Sequence, residues 1–272
     1  MSLNSGIQTY QILTNNDEVC LSSILFAAII IDCSLNKLKY FLLLQDLFFQ
    51  VPCGHHIQFK MEIEDTEIIR SYTPTFQDLD LTAYDEKSLQ QIDKNLHFLI
   101  KSYPQGTLTP KLDSLEIGTE IDFSHPMGTF NTDLLKKANF IILLAAGTGF
   151  TPMCKVIQMT YHFSQKEKLK RQVLLLNFNK TEKDIMWQDN LTKISSNDYF
   201  EFKTENILSQ DPNWTGHKGR VSNELLETLL PKAENMKKLA CICGPIPFTR
   251  NCAKLLQEDF LYTKDEIWKF EG

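Results

Sequence analysis

Residues 141–153 read IILLAAGTGFTPM, an apolar run that stops at two glycines separated by one threonine. A near-continuous apolar run is typical of a strand that is buried on both faces of a parallel sheet. Gly147 and Gly149 permit a tight turn and let a ligand approach the backbone closely. Thr151 is a candidate N-cap of the next helix, and Pro152 suits its first position. The stretch therefore predicts a strand, a tight turn and a helix.

Ligands of open α/β sheets bind at the carboxyl ends of the strands, and helix N-termini favour anions. The turn at residues 147–149 therefore predicts a site for a phosphate-bearing or nucleotide ligand. It does not match the G-x-G-x-x-G fingerprint, because Pro152 stands where the third glycine would be. A plain strand-to-helix turn without a ligand is the alternative.

From about residue 138 onward, strand-like segments alternate with helical patterns. The strand-like segments are FIILLAA (140–146), QVLLLNF (172–178), YFEFKT (199–204) and KLACICG (238–244). The helical patterns are residues 152–165, 184–195, 222–230 and 248–259. Buried strands that alternate with helices predict a doubly wound parallel sheet.

The first half has a different sequence pattern, in which turn residues separate short strand-like runs. These runs are SILFAAIII (23–31), KLKYFLLL (37–44), HIQFKMEI (56–63), LHFLIKSY (96–103) and TEIDFS (119–124). They favour an antiparallel barrel or sandwich with one short helix at residues 109–115, where Thr109 is a candidate N-cap and Pro110 follows it. Residues 77–94 are polar and predict a long surface loop. We expect two domains, residues 1–135 and 136–272.

Composition excludes several classes of protein. The chain has 272 residues and a net charge of −6 without a basic block, which argues against nucleic acid as the main partner. Its longest apolar run, residues 24–31, is too short to span a bilayer, and the first residues have no basic region typical of a signal peptide. Seven cysteines without framework spacing predict reduced thiols, and neither cysteines nor histidines show metal-ligand spacing.

Two further stretches point to the same chemistry. CICGPIPF (241–248) is a strand that ends in Gly-Pro and would reach the same sheet edge, where Cys243 either faces the cleft or is a buried apolar filler. RSYTPT (70–75) is extended, and alternation puts Arg70 and Tyr72 on one face and Thr73 on the other. Arginine suits a phosphate and tyrosine a planar ring, whereas an exposed strand is the alternative.

Together these stretches resemble the NADH–cytochrome b5 reductase family of the ferredoxin–NADP reductase superfamily. The resemblance covers roughly residues 38–270. It is carried, in the family's order and spacing, by RSYTP, LIKSYPQGTLTPKLDSLEIGTEIDF (99–123), AAGTGFTPM, NFNKTEKDI (177–185) and CICGPIPF. It implies an antiparallel β-barrel that binds FAD, followed by an α/β domain that binds a pyridine nucleotide.

The resemblance also implies roles for individual residues. Arg70 would bind the flavin phosphate, with Ser71 beside it, Tyr72 would pack on the flavin, and Thr73 would hydrogen-bond the reactive edge of the ring. Leu99 and Lys101 would follow the ribityl and adenine side, and Thr107, Leu108 and Thr109 would meet the pyrophosphate. The residues implied for the nucleotide side are Gly147, Thr148, Gly149, Thr151, Met153, Cys243, Gly244, Pro245 and Phe248. Thr73, Thr151 and Cys243 would flank the reacting rings.

The implied activity is an FAD-dependent NAD(P)H reductase that passes electrons to a one-electron acceptor, the haem of cytochrome b5 or of a fused or neighbouring haem domain. A diaphorase or ferric reductase with another acceptor is one alternative, and a non-catalytic nucleotide-binding module is another. The family's acidic residue that favours NADH is replaced here by Leu208, so NADPH is a further expected cofactor, with Ser209, Lys180 or Lys183 near its phosphate. We also expect a monomer in the cytoplasm, with association to the endoplasmic reticulum.

Overall fold

The structure is a computed structural model that describes residues 26–30, 38–43, 51–76, 79–81, 95–103, 105–116, 119–231 and 236–270. The first part of the chain forms a seven-stranded sheet in which all neighbouring strands are antiparallel. Its strands are β1 (Phe26–Ile30), β2 (Leu38–Leu43), β3 (Ile57–Ile63), β4 (Thr66–Tyr72), β5 (Pro74–Thr75), β6 (Asn95–Ile100) and β7 (Glu120–Phe123). The order across the sheet is β4-β3-β7-β1-β2-β6-β5.

The two edge strands of this sheet are neighbours in the chain. β4 and β5 lie at opposite ends of the strand order, yet only Thr73 separates them in sequence. Because one residue cannot cross the width of a flat sheet, the sheet curls until its edges meet. We call this meeting point, Arg70–Thr73, the seam. The predicted antiparallel barrel is confirmed.

Alternating side chains of the barrel strands fill its interior. In β3, Ile57 and Phe59 are fully buried, whereas Gln58 and Lys60, which alternate with them, are partly exposed. Phe59 packs edge-on against Phe98 of β6, with ring centroids 5.0 Å apart. This period of two is the pattern expected of strands with one face on a core.

Two short helices belong to this part of the chain, α1 (Thr109–Asp113) and α2 (Asp133–Lys137). The prediction that Thr109 caps α1 is wrong, because the residue at the cap position is Leu108 and no side chain caps the helix. The Thr109 hydroxyl instead accepts a hydrogen bond from the Tyr103 backbone N–H at 3.1 Å. It therefore ties the loop after β6 to the start of α1.

The second part of the chain forms a six-stranded, wholly parallel sheet of order β11-β10-β9-β8-β12-β13. Its strands are β8 (Phe140–Ala146), β9 (Arg171–Asn179), β10 (Phe200–Leu208), β11 (His217–Lys218), β12 (Lys238–Cys243) and β13 (Ile267–Lys269). The helices are α3 (Thr151–Glu167), α4 (Gln188–Lys193), α5 (Asn223–Leu229) and α6 (Ile246–Glu258).

Both faces of this sheet are covered. Ile141, Leu143 and Ala145 of β8 pack into one core with residues of α3, and the alternate residues Ile142 and Leu144 pack into another with residues of α6. A strand with no exposed face must be apolar throughout, which is why β8 reads as a continuous apolar run. The predicted doubly wound parallel sheet is confirmed.

Several local expectations differ from the structure. Leu79 and Leu81 are 3% and 6% exposed, so the surface-loop interpretation is wrong for them, since both belong to the core under α3. The rest of 77–94 lies outside the described residues except Asp80, which is exposed. The predicted domain boundary at residue 135 stays a prediction. Among the described residues, none of the helices combines the length and apolar character needed to cross a membrane.

Candidate cofactor site

The turn after β8 has the open geometry that a bound ligand requires. Gly147–Phe150 forms a short 3-10 helix between β8 and α3. Gly147 has a φ of +56°, and a Cβ atom placed there would meet nothing within 4 Å. The backbone at this point is left-handed and its outer side is clear, so a ligand can lie directly against it.

The turn after β12 touches the turn after β8. β8 and β12 pair in parallel, with Cys243 opposite Ala145. A Cβ atom on Gly149 would lie 2.3 Å from the Cys243 carbonyl oxygen, so only glycine fits where the two turns meet. From β8 the strand order runs through β9 to one edge and through β12 to the other. The two turns therefore lie at the point where the strand order reverses, and such sheets bind ligands there.

The start of α3 differs from the prediction. Thr151 is not the N-cap, because the 3-10 turn carries the chain directly into the helix and Phe150 occupies the cap position. The Thr151 hydroxyl instead donates to the Thr148 carbonyl at 3.0 Å. Thr151 is 7% exposed, and this bond fixes its side chain against the turn.

One cavity of about 1250 Å³ joins these turns to the barrel. Its lining includes every residue that the family resemblance implied for cofactor binding except Met153. From the barrel half these are Arg70, Ser71, Tyr72, Thr73, Leu99, Lys101, Thr107, Leu108 and Thr109, and from the second half Gly147, Thr148, Gly149, Thr151, Cys243, Gly244, Pro245 and Phe248. Met153 is fully buried in the core between α3 and the sheet.

The barrel side of the cavity is the seam. The Tyr72 ring packs on Phe59 with centroids 4.8 Å apart, and burial raises the pKa of its hydroxyl to about 12. Arg70 is exposed and donates from Nη1 to its neighbour's carbonyl oxygen at 2.7 Å. Thr73 lines the same cavity as Arg70 and Tyr72, as does Ser71, so the expectation that Thr73 lies on the opposite face is wrong.

An ion pair crosses from the barrel to the second sheet beside the cavity. Lys101, just after β6, donates from Nζ to Asp184 Oδ1 at 2.5 Å. Partial burial alone would raise the pKa of Asp184, but hydrogen bonds from Lys101 and Thr181 outweigh it and lower that pKa. The Asp184 carboxylate is therefore charged at neutral pH. The expectation that Lys101 follows the ribityl side remains a proposal, since here its side chain is directed to Asp184.

Cys243 lines the cavity and is partly exposed. Burial raises the pKa of its thiol to about 12, although a hydrogen bond from the Gly244 backbone opposes the shift. The thiol is therefore neutral at physiological pH and cannot act as a thiolate nucleophile. Its position agrees with the cleft-facing interpretation. Cys53, Cys154, Cys241, Cys243 and Cys252 are all free thiols.

At the far end of the cavity, beyond β9 and β10, none of the described lining residues carries a carboxylate. Leu208 is 1% exposed, so its side chain belongs to the core. The lining here is formed by Ser209, Gln210, Lys180 and Arg220, whereas Lys183 does not contribute. Two basic side chains at this end favour an additional phosphate.

The sequence did not point to some residues of the lining. The lining also includes His56, Phe98, Tyr103, Asn179, Gln210, Arg220, Asn251 and Phe270. Burial and the neighbouring His55 lower the pKa of His56, which keeps it neutral. No spacing rule marks these positions, because they come from several elements that meet only in the fold.

The residues present fit a flavin and a pyridine nucleotide held together. Two glycine-containing turns meet at the sheet edge, an arginine and an aromatic ring stand at the seam, and the start of α1 lies between them. These are the groups that bind phosphates and planar rings. One continuous cavity lets both ligands lie in contact.

Comparison with known proteins agrees with this geometry. Residues 25–132 match the family model of an oxidoreductase FAD-binding domain, and residues 143–254 match that of an oxidoreductase NAD-binding domain. Cytochrome b5 reductase 4 of Rattus norvegicus is 42% identical over 224 residues, which cover 81% of this chain and 42% of the relative. The chain thus spans less than half the length of that relative. The motifs AAGTGFTPM, NKTEKDI and CICGPIPFT predicted a likeness to its reductase domain, and the match confirms it.

A second relative is covered over most of its length. NADH-cytochrome b5 reductase 1 of Mortierella alpina is 32% identical over 255 residues, which cover 88% of this chain and 78% of the relative. The solved CS-b5R domains of human Ncb5or, in the NAD+ form, superpose with a TM-score of 0.79 at 36% identity, covering 92% of this chain and 71% of that one. The chain therefore belongs to the NADH–cytochrome b5 reductase family, whose members are oxidoreductases with an FAD-binding and an NAD-binding domain.

Proposed function

We propose that this chain takes reducing equivalents from NADH or NADPH and passes them through FAD to the haem of cytochrome b5, or of a haem domain in the same protein. The observation that supports this proposal is the single cavity shared by the seam and the two turns after β8 and β12. Bound flavin supplies the chemistry, because it accepts a hydride and releases electrons one at a time. The protein's contribution is to hold both ring systems in contact.

The residues of the seam serve the flavin. Arg70 is exposed at the cavity and supplies a guanidinium for a phosphate. The Tyr72 ring packs against Phe59 and would contact the flavin. Thr73 provides a hydroxyl beside them. Thr107, Leu108 and Thr109 present the start of α1 to the pyrophosphate.

The two turns of the second sheet serve the nucleotide. Gly147 and Gly149 let its backbone approach closely, and Thr151 is held by the Thr148 carbonyl at the inner end of the cavity. The neutral, polarisable thiol of Cys243 lines the cavity at the turn after β12. None of these side chains needs to act as a nucleophile, because bound flavin and nucleotide would supply the reacting groups.

The lining near β10 supports the use of NADPH as well as NADH. Ser209, Lys180 and Arg220 line this end, and none of the described lining residues there is acidic. We expect kcat/KM values for the two nucleotides within about ten-fold of each other. Ser209→Asp should lower NADPH use much more than NADH use, and a strong NADH preference of the unmodified protein would contradict the proposal.

The primary test is the visible spectrum of the purified protein loaded with FAD and kept anaerobic. Oxidised-flavin bands that bleach with one equivalent of NADH or NADPH, and recover when cytochrome b5 is added, would support both cofactor use and acceptor. Recovery with ferric chelates or dyes but not with cytochrome b5 would favour the diaphorase alternative. Failure to bind FAD would favour a nucleotide-binding module.

The location and oligomeric state belong to the same proposal. The free thiols of the described cysteines suit a reducing compartment. We expect a cytoplasmic monomer that associates with the endoplasmic reticulum, and cell fractionation together with light scattering tests both points.

A further inference from the structure

An ion pair between Lys101 and Asp184, which we call the clasp, lies beside the cavity. The two residues are 83 positions apart, and they join the end of β6 to the turn after β9. Their side chains are only 30% and 20% exposed, so the pair is partly shielded from water. Shielded pairs with good geometry are stronger and more rigid than exposed ones.

The Asp184 carboxylate is already fixed by its own turn. Its Oδ2 accepts hydrogen bonds from the backbone N–H of Thr181 at 3.0 Å and from the Thr181 hydroxyl at 2.9 Å. This reciprocal cap closes the short 3-10 helix Glu182–Asp184. These hydrogen bonds hold the carboxylate so that Oδ1 is directed towards Lys101.

The turn that carries Asp184 is connected to the nucleotide side of the cavity. It follows β9, whose last residue Asn179 lines the cavity together with Lys180. The backbone N–H of Glu182 also donates to Asp211 Oδ2 at 3.2 Å, in the loop after β10. The end of β9 and the loop after β10, which line the far end of the cavity, are therefore both attached to the turn that contains Asp184.

The other end of the clasp is connected to the flavin side. Lys101 lines the cavity and directly follows Ile100, which is 2% exposed in the barrel core. β6 pairs with β5, the strand that begins one residue after Thr73. A displacement of Lys101 would therefore shift β6 and, through its pairing with β5, the seam.

We propose that Asp184 is a positioning residue for hydride transfer, which holds the nucleotide side of the cavity at a fixed spacing from the flavin side through Lys101. The inference rests on the proposed function. Hydride transfer requires the reacting atoms to be about 3–3.5 Å apart, so small changes in spacing strongly change its rate. Asp184 itself touches neither ring.

The test uses two single variants that break the clasp in different ways. Asp184→Asn keeps an oxygen that can cap Thr181 but loses the charge, and Lys101→Met removes the cation and leaves the cap untouched. The matched control is Asp133→Asn, because Asp133 pairs with Lys136 at 2.7 Å within α2 and neither residue lines the cavity. All variants are studied as FAD-loaded, full-length chains.

In anaerobic stopped-flow reduction, the limiting rate of flavin bleaching at saturating NADH should fall about ten-fold in Asp184→Asn, while the Kd for NADH changes less than three-fold. The double variant should be no slower than the slower single one, because both break the same contact. Asp184→Glu should recover part of the rate. Asp133→Asn should bleach like the unmodified protein.

A second readout does not depend on activity. Hydrogen–deuterium exchange should become faster at residues 181–184 and 101–103 in Lys101→Met, with the rest of each sheet unchanged. Unmodified protein that NADH fails to bleach would overturn the proposed function and the inference together. Bleaching of both clasp variants at the unmodified rate, or unchanged exchange in Lys101→Met, would overturn the inference alone.

Discussion

At the scale of single residues, burial shifts the pKa values of three cavity-lining groups in the direction that favours their neutral forms. Burial raises the pKa of Tyr72 and of Cys243 to about 12, and it lowers the pKa of His56. All three are therefore neutral at physiological pH. Neutral side chains add no charge beside the ring systems that the cavity would hold.

The state of Cys243 gives a direct prediction. Because its pKa is raised to about 12, the thiol stays protonated from pH 6 to pH 9 and contributes no ionisation there. We expect the limiting rate of flavin bleaching by NADH to show the same pH profile in Cys243→Ser as in the unmodified protein, with at most a few-fold change in size. An alkaline limb that is present in the unmodified protein and absent in the variant would show that a thiolate takes part.

At the scale of elements, the contact between the turns after β8 and β12 decides the geometry of the nucleotide side. Gly149 is required by the closeness of the Cys243 carbonyl, whereas Gly147 is required by its left-handed backbone. Glycine is therefore required at these two positions of one short motif for different physical reasons.

This difference is measurable. Gly149→Ala brings a Cβ atom to within 2.3 Å of the Cys243 carbonyl oxygen, so the turns must separate at a cost of about 1–3 kcal/mol. Gly147→Ala meets no atom and should cost only about 1–2 kcal/mol of backbone strain. Urea unfolding should therefore show the larger loss for Gly149→Ala. Weakened NADH binding should follow it, and equal losses would contradict the argument.

The elements also show what a sequence can and cannot predict here. β8 is recognisable because it is apolar on both faces, whereas the sequence indicated only the last part of β4, whose residues are half-buried or exposed. Helix starts were misplaced at Thr109 and Thr151, because hydroxyls that could cap their helices bond elsewhere. The clasp has no local signal, since its partners meet only after both sheets have formed.

At the scale of the whole molecule, the two sheets share one cavity and the clasp beside it. Asp184 has a lowered pKa in the folded protein, so its ion pair stabilises the fold above the unfolded pKa and the contribution disappears as the pH falls through the lower, folded value. The pH window therefore lies below about 4, near the ordinary value for aspartate.

The corresponding prediction compares the unmodified protein with Asp184→Asn in urea. The unmodified protein should be the more stable at pH 6 to 7, and the difference should shrink as the pH falls below 4. The unfolding midpoints at each pH provide the measurement. A difference that stays constant down to pH 3 would mean that the carboxylate does not provide the stabilisation.

The seam has a consequence for the protein's lifetime in a cell. The edge strands β4 and β5 meet at Thr73, and among the described strands β4 pairs only with β3 and β5 only with β6. A flavin bound at this seam would therefore add contacts between strands that do not pair with each other. A ligand that binds only the folded chain lowers the unfolded fraction in proportion to its occupancy, and unfolded chains are the ones that proteases remove. Riboflavin starvation should thus shorten the chain's half-life in pulse-chase experiments, so that vitamin supply governs its abundance as well as its activity.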